Sequence, residues 1–159
     1  MKRNIVGLFM AMVLLAATGV RADDGLGIGI IVGEPTGLSI KKWIASDRAV
    51  DAAAAWSFSE NESFQLHADY LVHNFDILKT GSVGGRLPLY AGIGGRIKFD
   101  GHDHNDHSTL LGVRIPLGIA YMFAKDPIDI FAEIVPILDV VPSTEFDINA
   151  AIGARFYFR

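Results

Sequence analysis

Cysteine is absent from the 159-residue chain. That excludes a disulfide scaffold, a thiolate metal centre and a thiol nucleophile, and with them a lipid anchor built on a processed N-terminal cysteine. Beyond the first 22 residues no apolar run is long enough to be a membrane helix. Helical periodicity, low-complexity tracts and linkers are also missing. Basic residues are few, 14 against 18 acidic ones, which disfavours nucleic acid as a partner.

The N-terminus stands apart from the rest. Lys2 and Arg3 precede the apolar stretch IVGLFMAMVLLAA, and TGVRA follows it, ending in a small residue. This is the layout of a secretory signal peptide, residues 1–22, with removal predicted after Ala22. The apolar stretch is short for a retained span. Residues 23–159 are then the mature domain; without Lys2, Arg3 and Arg21 it holds 11 basic and 18 acidic residues, a formal charge of −7.

What is present is alternation. Eight segments with a period of two, at 26–33, 37–45, 48–59, 63–75, 86–99, 108–123, 127–138 and 145–158, are separated by turn-forming Gly, Pro, Asp, Asn and Ser. One all-β domain follows. In 108–123 one face reads Leu111, Val113, Ile115, Leu117, Ile119, Tyr121 and Phe123, the other Gly112, Arg114, Pro116, Gly118 and Ala120. The second face is poor in the Lys, Glu, Thr and Ser of a solvated sheet. It carries small residues and isolated charges, and small residues save space only in a crowded interior. The pattern therefore predicts an eight-stranded antiparallel up-and-down transmembrane β-barrel, with its apolar face toward lipid and its polar face inside. The opposing reading, a soluble half-buried sheet, has the same alternation.

The charges assigned inward are nearly balanced: Lys41, Arg86, Arg96, Lys98, Arg114 and Arg155 against Asp51, Asp69, Asp129, Glu133 and Asp147. Buried charges persist when paired, and Arg114 is expected to meet an acid on a neighbouring strand such as Glu133. With both termini on the periplasmic side, Trp56, Phe58, Phe64, Phe99 and Phe146 reach the outer interface. Tyr121, Phe123, Phe156 and Phe158 reach the inner one, giving two aromatic belts. Lys42, on the lipid face, falls near the inner boundary, where it can snorkel. Pro88, Pro116 and Pro136 fall inside strands, and bulges or strand ends are expected there.

The tail AAIGARFYF resembles the C-terminal signal read by the outer-membrane assembly machinery, with Gly153, Phe156 and Phe158 in the signal positions and Arg159 beyond them. The mature chain resembles small eight-stranded outer-membrane barrels of the OmpA/OmpX type. More narrowly, GIGGRIKF, LGVRIPLGIAYMF and IDIFAEIVPILDVVP resemble a family of uncharacterised small outer-membrane barrels. The resemblance covers nearly all of 25–158 and implies a fold and a place in the bacterial outer membrane, not an activity, and it brings no catalytic or cofactor-binding residues.

Candidate chemistry is local. GHDHNDH offers His102, Asp103, His104, Asp106 and His107 as ligands for a divalent metal such as Zn²⁺; the same composition also makes an ordinary polar loop tip. Glu34, Glu60, Glu62, Asp100, Asp103, Asp106, Asp139 and Glu145 form an acidic outer rim, which would meet anionic lipopolysaccharide only through bridging Ca²⁺ or Mg²⁺. His67, His73 and Asp69 share the inward face of one strand, but no motif places a serine beside them. The expected role is non-enzymatic, structural or surface-interacting, with a filled lumen and with membrane lipid, lipopolysaccharide and the assembly machinery as partners. The alternatives are a lipid-modifying hydrolase and a soluble secreted barrel binding an apolar ligand.

Overall fold

Alternating sequence becomes alternating exposure along every long strand. In the computed structural model, which describes residues 25–57, 63–78, 84–100 and 108–158, the strands are β1 (Leu26–Glu34), β2 (Thr36–Trp43), β3 (Arg48–Ser57), β4 (Ser63–Asn74), β5 (Gly85–Arg86), β6 (Leu89–Asp100), β7 (Ser108–Arg114), β8 (Leu117–Phe123), β9 (Ile128–Val141) and β10 (Glu145–Phe158). All pairings are antiparallel. The strands β5 and β6 form one stave with a break at Pro88, and β7 and β8 form another with a break at Pro116. Ten strands therefore make eight staves.

The ring is closed. β1 pairs with β10 from Leu26↔Phe158 to Glu34↔Ala150, while its other edge pairs with β2. Closure removes the free edges that an open sheet would present, which is what a bilayer demands of spanning strands. We call the end that carries Gly25 and Phe158 the inner end and the opposite one the outer end.

Large apolar side chains cover the outside. Ile30, Leu38, Ile93, Ile134, Ile148 and Ile152 are each half or more exposed, while Lys41, Asp51, Asp69, Arg96, Arg114, Asp129 and Arg155 are buried. In a soluble fold this would place apolar surface in water and charge in the core, both costly. In a bilayer it is the stable arrangement, and the chain is a transmembrane β-barrel. Two aromatic belts bound the apolar band. Trp56, Phe64 and Phe99 stand side by side at the outer end, with centroid distances of 5.4 and 6.2 Å. Tyr121–Phe123 and Phe156–Phe158 pair at the inner end, at 4.8 and 5.0 Å.

The three prolines behave unequally. Pro88 and Pro116 interrupt their staves, yet their carbonyls accept ladder bonds from Ala120 and Gly92 at 3.0 and 2.9 Å. Pro136 lies inside β9 without breaking it, contrary to the sequence expectation. It pairs in register with Ile148 on one side, and on the other its carbonyl takes the Ile115 N–H at 2.9 Å, in the gap between β7 and β8. The pairing of β7 with β9 shifts register at Leu111/Gly112. β9 also runs three residues beyond its predicted end, which moves Asp139 from the expected outer rim into the wall.

Candidate functional site: a charged lumen

The lumen is built from side chains on all eight staves, β1 contributing Ile31 and the other seven the polar groups, and small residues on the neighbouring strands make room for large ones. A Cβ at Gly118 would collide with the Tyr90 ring, one at Gly153 with Phe131, and one at Gly94 with the Asp69 carboxylate. Glycine at these positions answers to close approach rather than to backbone freedom. Gly33 is the exception, with φ of 148° at the end of β1, where Thr36 Oγ1 donates to its carbonyl at 3.0 Å and closes the turn.

Three charged clusters stack along the lumen. Nearest the outer end, Arg96 holds Asp139 through Nε at 3.0 Å and a second bond from Nη2, and Asp147 through Nη2 at 2.9 Å. At mid-height Arg114 Nε lies 2.9 Å from Asp69 Oδ2, an ion pair in which the N–H is not aligned for a hydrogen bond. Its Nη2 is 3.7 Å from Glu133, so Asp69 is the nearer of the two acids. Glu133 in turn accepts from Tyr90 at 2.9 Å. On the other wall Arg155 donates to Asp51 and to Ser39 Oγ, both at 2.9 Å, and its guanidinium lies 3.9 Å from the Phe131 ring centre. Toward the inner end Lys41 Nζ sits 2.9 Å from His73 Nε2 and over the rings of Trp43 and Tyr90, while Tyr157 donates to Asp129 at 2.5 Å.

Burial decides what this arrangement transmits. Lys41 and Arg114 are 1 % exposed and Arg96 and Arg155 2 %. Cations lining an aqueous channel would be wet; these are enclosed by one another, by their acids and by Leu71, Phe131, Val135 and Ile137. The cavity between His67, Arg114, Glu133 and Asn149 measures about 10 Å³, room for one water at most.

Other sequence-singled residues fall elsewhere. Arg86, assigned inward, stands exposed at the inner mouth, its guanidinium 4.8 Å from the Phe75 ring centre, outside the clusters. Lys98 is half-buried in β6. His67 contacts Gln65 at 3.3 Å, and His73 is committed to Lys41; both are sealed from the bilayer side, where an acyl chain would lie. His102, Asp103, His104, Asp106 and His107 lie outside the described residues, as do Glu60, Glu62 and residues 1–22. Among the described residues no group of metal-ligating side chains converges. Gly153 faces the lumen, and Phe156 and Phe158 lie on the lipid face at the inner end.

Asp139 was missed as a lumen residue, whereas Tyr90 and Tyr157 fall on the inward face that the parity of their strands assigns them. The parity of β9 carries Asp139, since it continues Asp129 and Glu133 by steps of two. What parity did not show is that each ring fills the space left by a glycine across the ladder, Gly118 for Tyr90 and Gly27 for Tyr157.

A family described as Protein of unknown function (DUF3996) matches residues 18–158. The chain belongs to it. No curated protein matches the sequence. Among solved structures, the N-terminal β-barrel domain of Pseudomonas aeruginosa OprF is similar at a TM-score of 0.59 and 15 % identity, over 85 % of this chain and 96 % of that one. Neisserial surface protein A (NspA) aligns at a TM-score of 0.48 and 14 % identity, over 85 % of this chain and 94 % of that one. The likeness to the OprF domain is one of fold: this DUF3996 member has the architecture of a small outer-membrane barrel.

Proposed function

We propose that this DUF3996 protein is a non-enzymatic barrel of the bacterial outer membrane, closed to solutes, with a structural or surface-interaction role. Residues 1–22 direct export and are removed, and Gly153, Phe156 and Phe158 present the assembly signal to the insertion machinery. The outer ends of the strands, with Glu34 and Glu145 exposed there, face the lipopolysaccharide side. The observation that carries the reading is the inverted burial: guanidinium groups enclosed, isoleucines exposed.

A hydrolase reading loses support because His67 and His73 are held inside by Gln65 and Lys41. A soluble carrier would need an enclosed apolar cavity, and between the inner and outer clusters the lumen is filled with ion pairs. Cell fractionation followed by gel electrophoresis with and without boiling tests the proposal. The protein is expected in the membrane fraction, migrating faster unboiled than boiled. Recovery in the aqueous fraction, with no mobility shift, would overturn it.

A further inference from the structure

At the inner end the packing stops short of the mouth. Beyond the Lys41–His73 pair lies a cavity of about 550 Å³, lined among others by Trp43, Arg86, Met122, Phe123, Asp126 and Tyr157. Its size is that of a ligand pocket. Trp43, Met122 and Tyr157 stand on the lumen face of their strands, whereas Phe123 and Ile128, which also line it, belong to the lipid face and are 40 % and 37 % exposed. The cavity therefore straddles the rim and is continuous with the apolar band.

Two opposite charges line this pocket, and among the described residues neither has an ionic partner. The Arg86 guanidinium rests on the Phe75 ring and on no carboxylate, and the Asp126 carboxylate has no cation. The neighbouring rim cation Arg48 is different, since Asp47 stands 3.7 Å from it. Arg86 and Asp126 come from different staves, β5 and the turn after β8, and they share the cavity without neutralising each other.

We propose that this pocket binds the head group of an inner-leaflet phospholipid that carries both a phosphate and a primary ammonium, a phosphoethanolamine. The phosphate meets the planar fork of Arg86 and the ammonium donates to Asp126. The glycerol region lies against Trp43 and Tyr157, ring types that favour the interface. The acyl chains follow Phe123 and Ile128 into the apolar band. A phosphoglycerol head group would satisfy Arg86 and leave Asp126 unpaired; a phosphocholine would bring a cation with no N–H to donate. The proposal rests on the transmembrane reading above.

The test uses the full mature chain folded in detergent, each variant first checked for the heat-dependent mobility shift. Native mass spectrometry then reads lipid retention from micelles holding equal phosphatidylethanolamine, phosphatidylglycerol and phosphatidylcholine. Phosphatidylethanolamine is expected to be retained about fivefold over each of the others, a modest preference for partly exposed charge pairs. Arg86→Gln should abolish retention of all phospholipids at the site, and Asp126→Asn should erase only the preference for the ethanolamine head group. Equal retention of the three lipids by the wild type, preference for phosphatidylglycerol, or an unchanged preference in Asp126→Asn overturns the pocket. A wild type without a mobility shift would instead overturn the reading beneath it.

Discussion

A guanidinium as enclosed as that of Arg114 must be matched closely by its surroundings, because each buried ion costs several kcal/mol of desolvation. Asp69 and Glu133 supply two carboxylates at 2.9 and 3.7 Å. Arg114→Met would leave both acids without their cation and is expected to destabilise the barrel by ~3–5 kcal/mol. Combining it with Asp69→Asn and Glu133→Gln should recover more than half of that loss, since neutral groups of the same shape replace the stranded charges. Urea unfolding in lipid vesicles, followed by tryptophan fluorescence, measures both; a triple variant as unstable as the single one would contradict the pairing. Gly118→Val tests the fit of ring to gap. Its added carbons meet the Tyr90 ring, and overpacking of this kind is expected to cost ~1–3 kcal/mol, relieved in part by Tyr90→Leu, which removes the ring carbons in contact.

At the scale of the strand, depth in the bilayer sets the penalty for charge. Ile152 lies midway along β10 and Phe146 near its outer end, both on the lipid face and both more than 60 % exposed. Ile152→Arg is expected to cost ~2–4 kcal/mol and Phe146→Arg ~0–1. Equal penalties, measured by the same unfolding titration, would argue against lipid at that face. Strand existence and facing were legible in the sequence because a period of two is local, and Leu111 to Phe123 announced their side without any tertiary knowledge. Boundaries at proline were less so. Pro88 and Pro116 break their staves while Pro136 does not, and the difference lies in the neighbour: β9 passes opposite the gap between β7 and β8, so the missing N–H of Pro136 falls where that stave is already interrupted. Glu133 was legible as a partner of Arg114 and meets it at 3.7 Å, but the nearer acid, Asp69, was hidden, since the cross-strand register that brings it close is not local. Arg86 obeyed the parity of its stave, but parity carries no height, and at the mouth an inward residue meets solvent.

For the molecule as a whole, the proposed closed lumen rests on three stacked charge clusters whose cations are almost fully enclosed. Reconstituted into planar bilayers, the protein is expected to give no conductance steps of porin size; stable steps of that size would mean that the clusters part. With so many charged and hydrogen-bonding groups packed together, the described interior is polar and closely filled between the clusters.

The pairing of Leu26–Glu34 with Glu145–Phe158 has one more implication. A cylinder sealed by its first and last members has no partial form that is already watertight: until the final stretch arrives, two lines of unsatisfied amide groups stay open along its length. Such a chain cannot mature piecemeal during synthesis. It must be kept from sticking to its copies until all eight staves are present, and Glu145–Phe158, which pairs on both sides, is the segment that turns a ribbon into a tube.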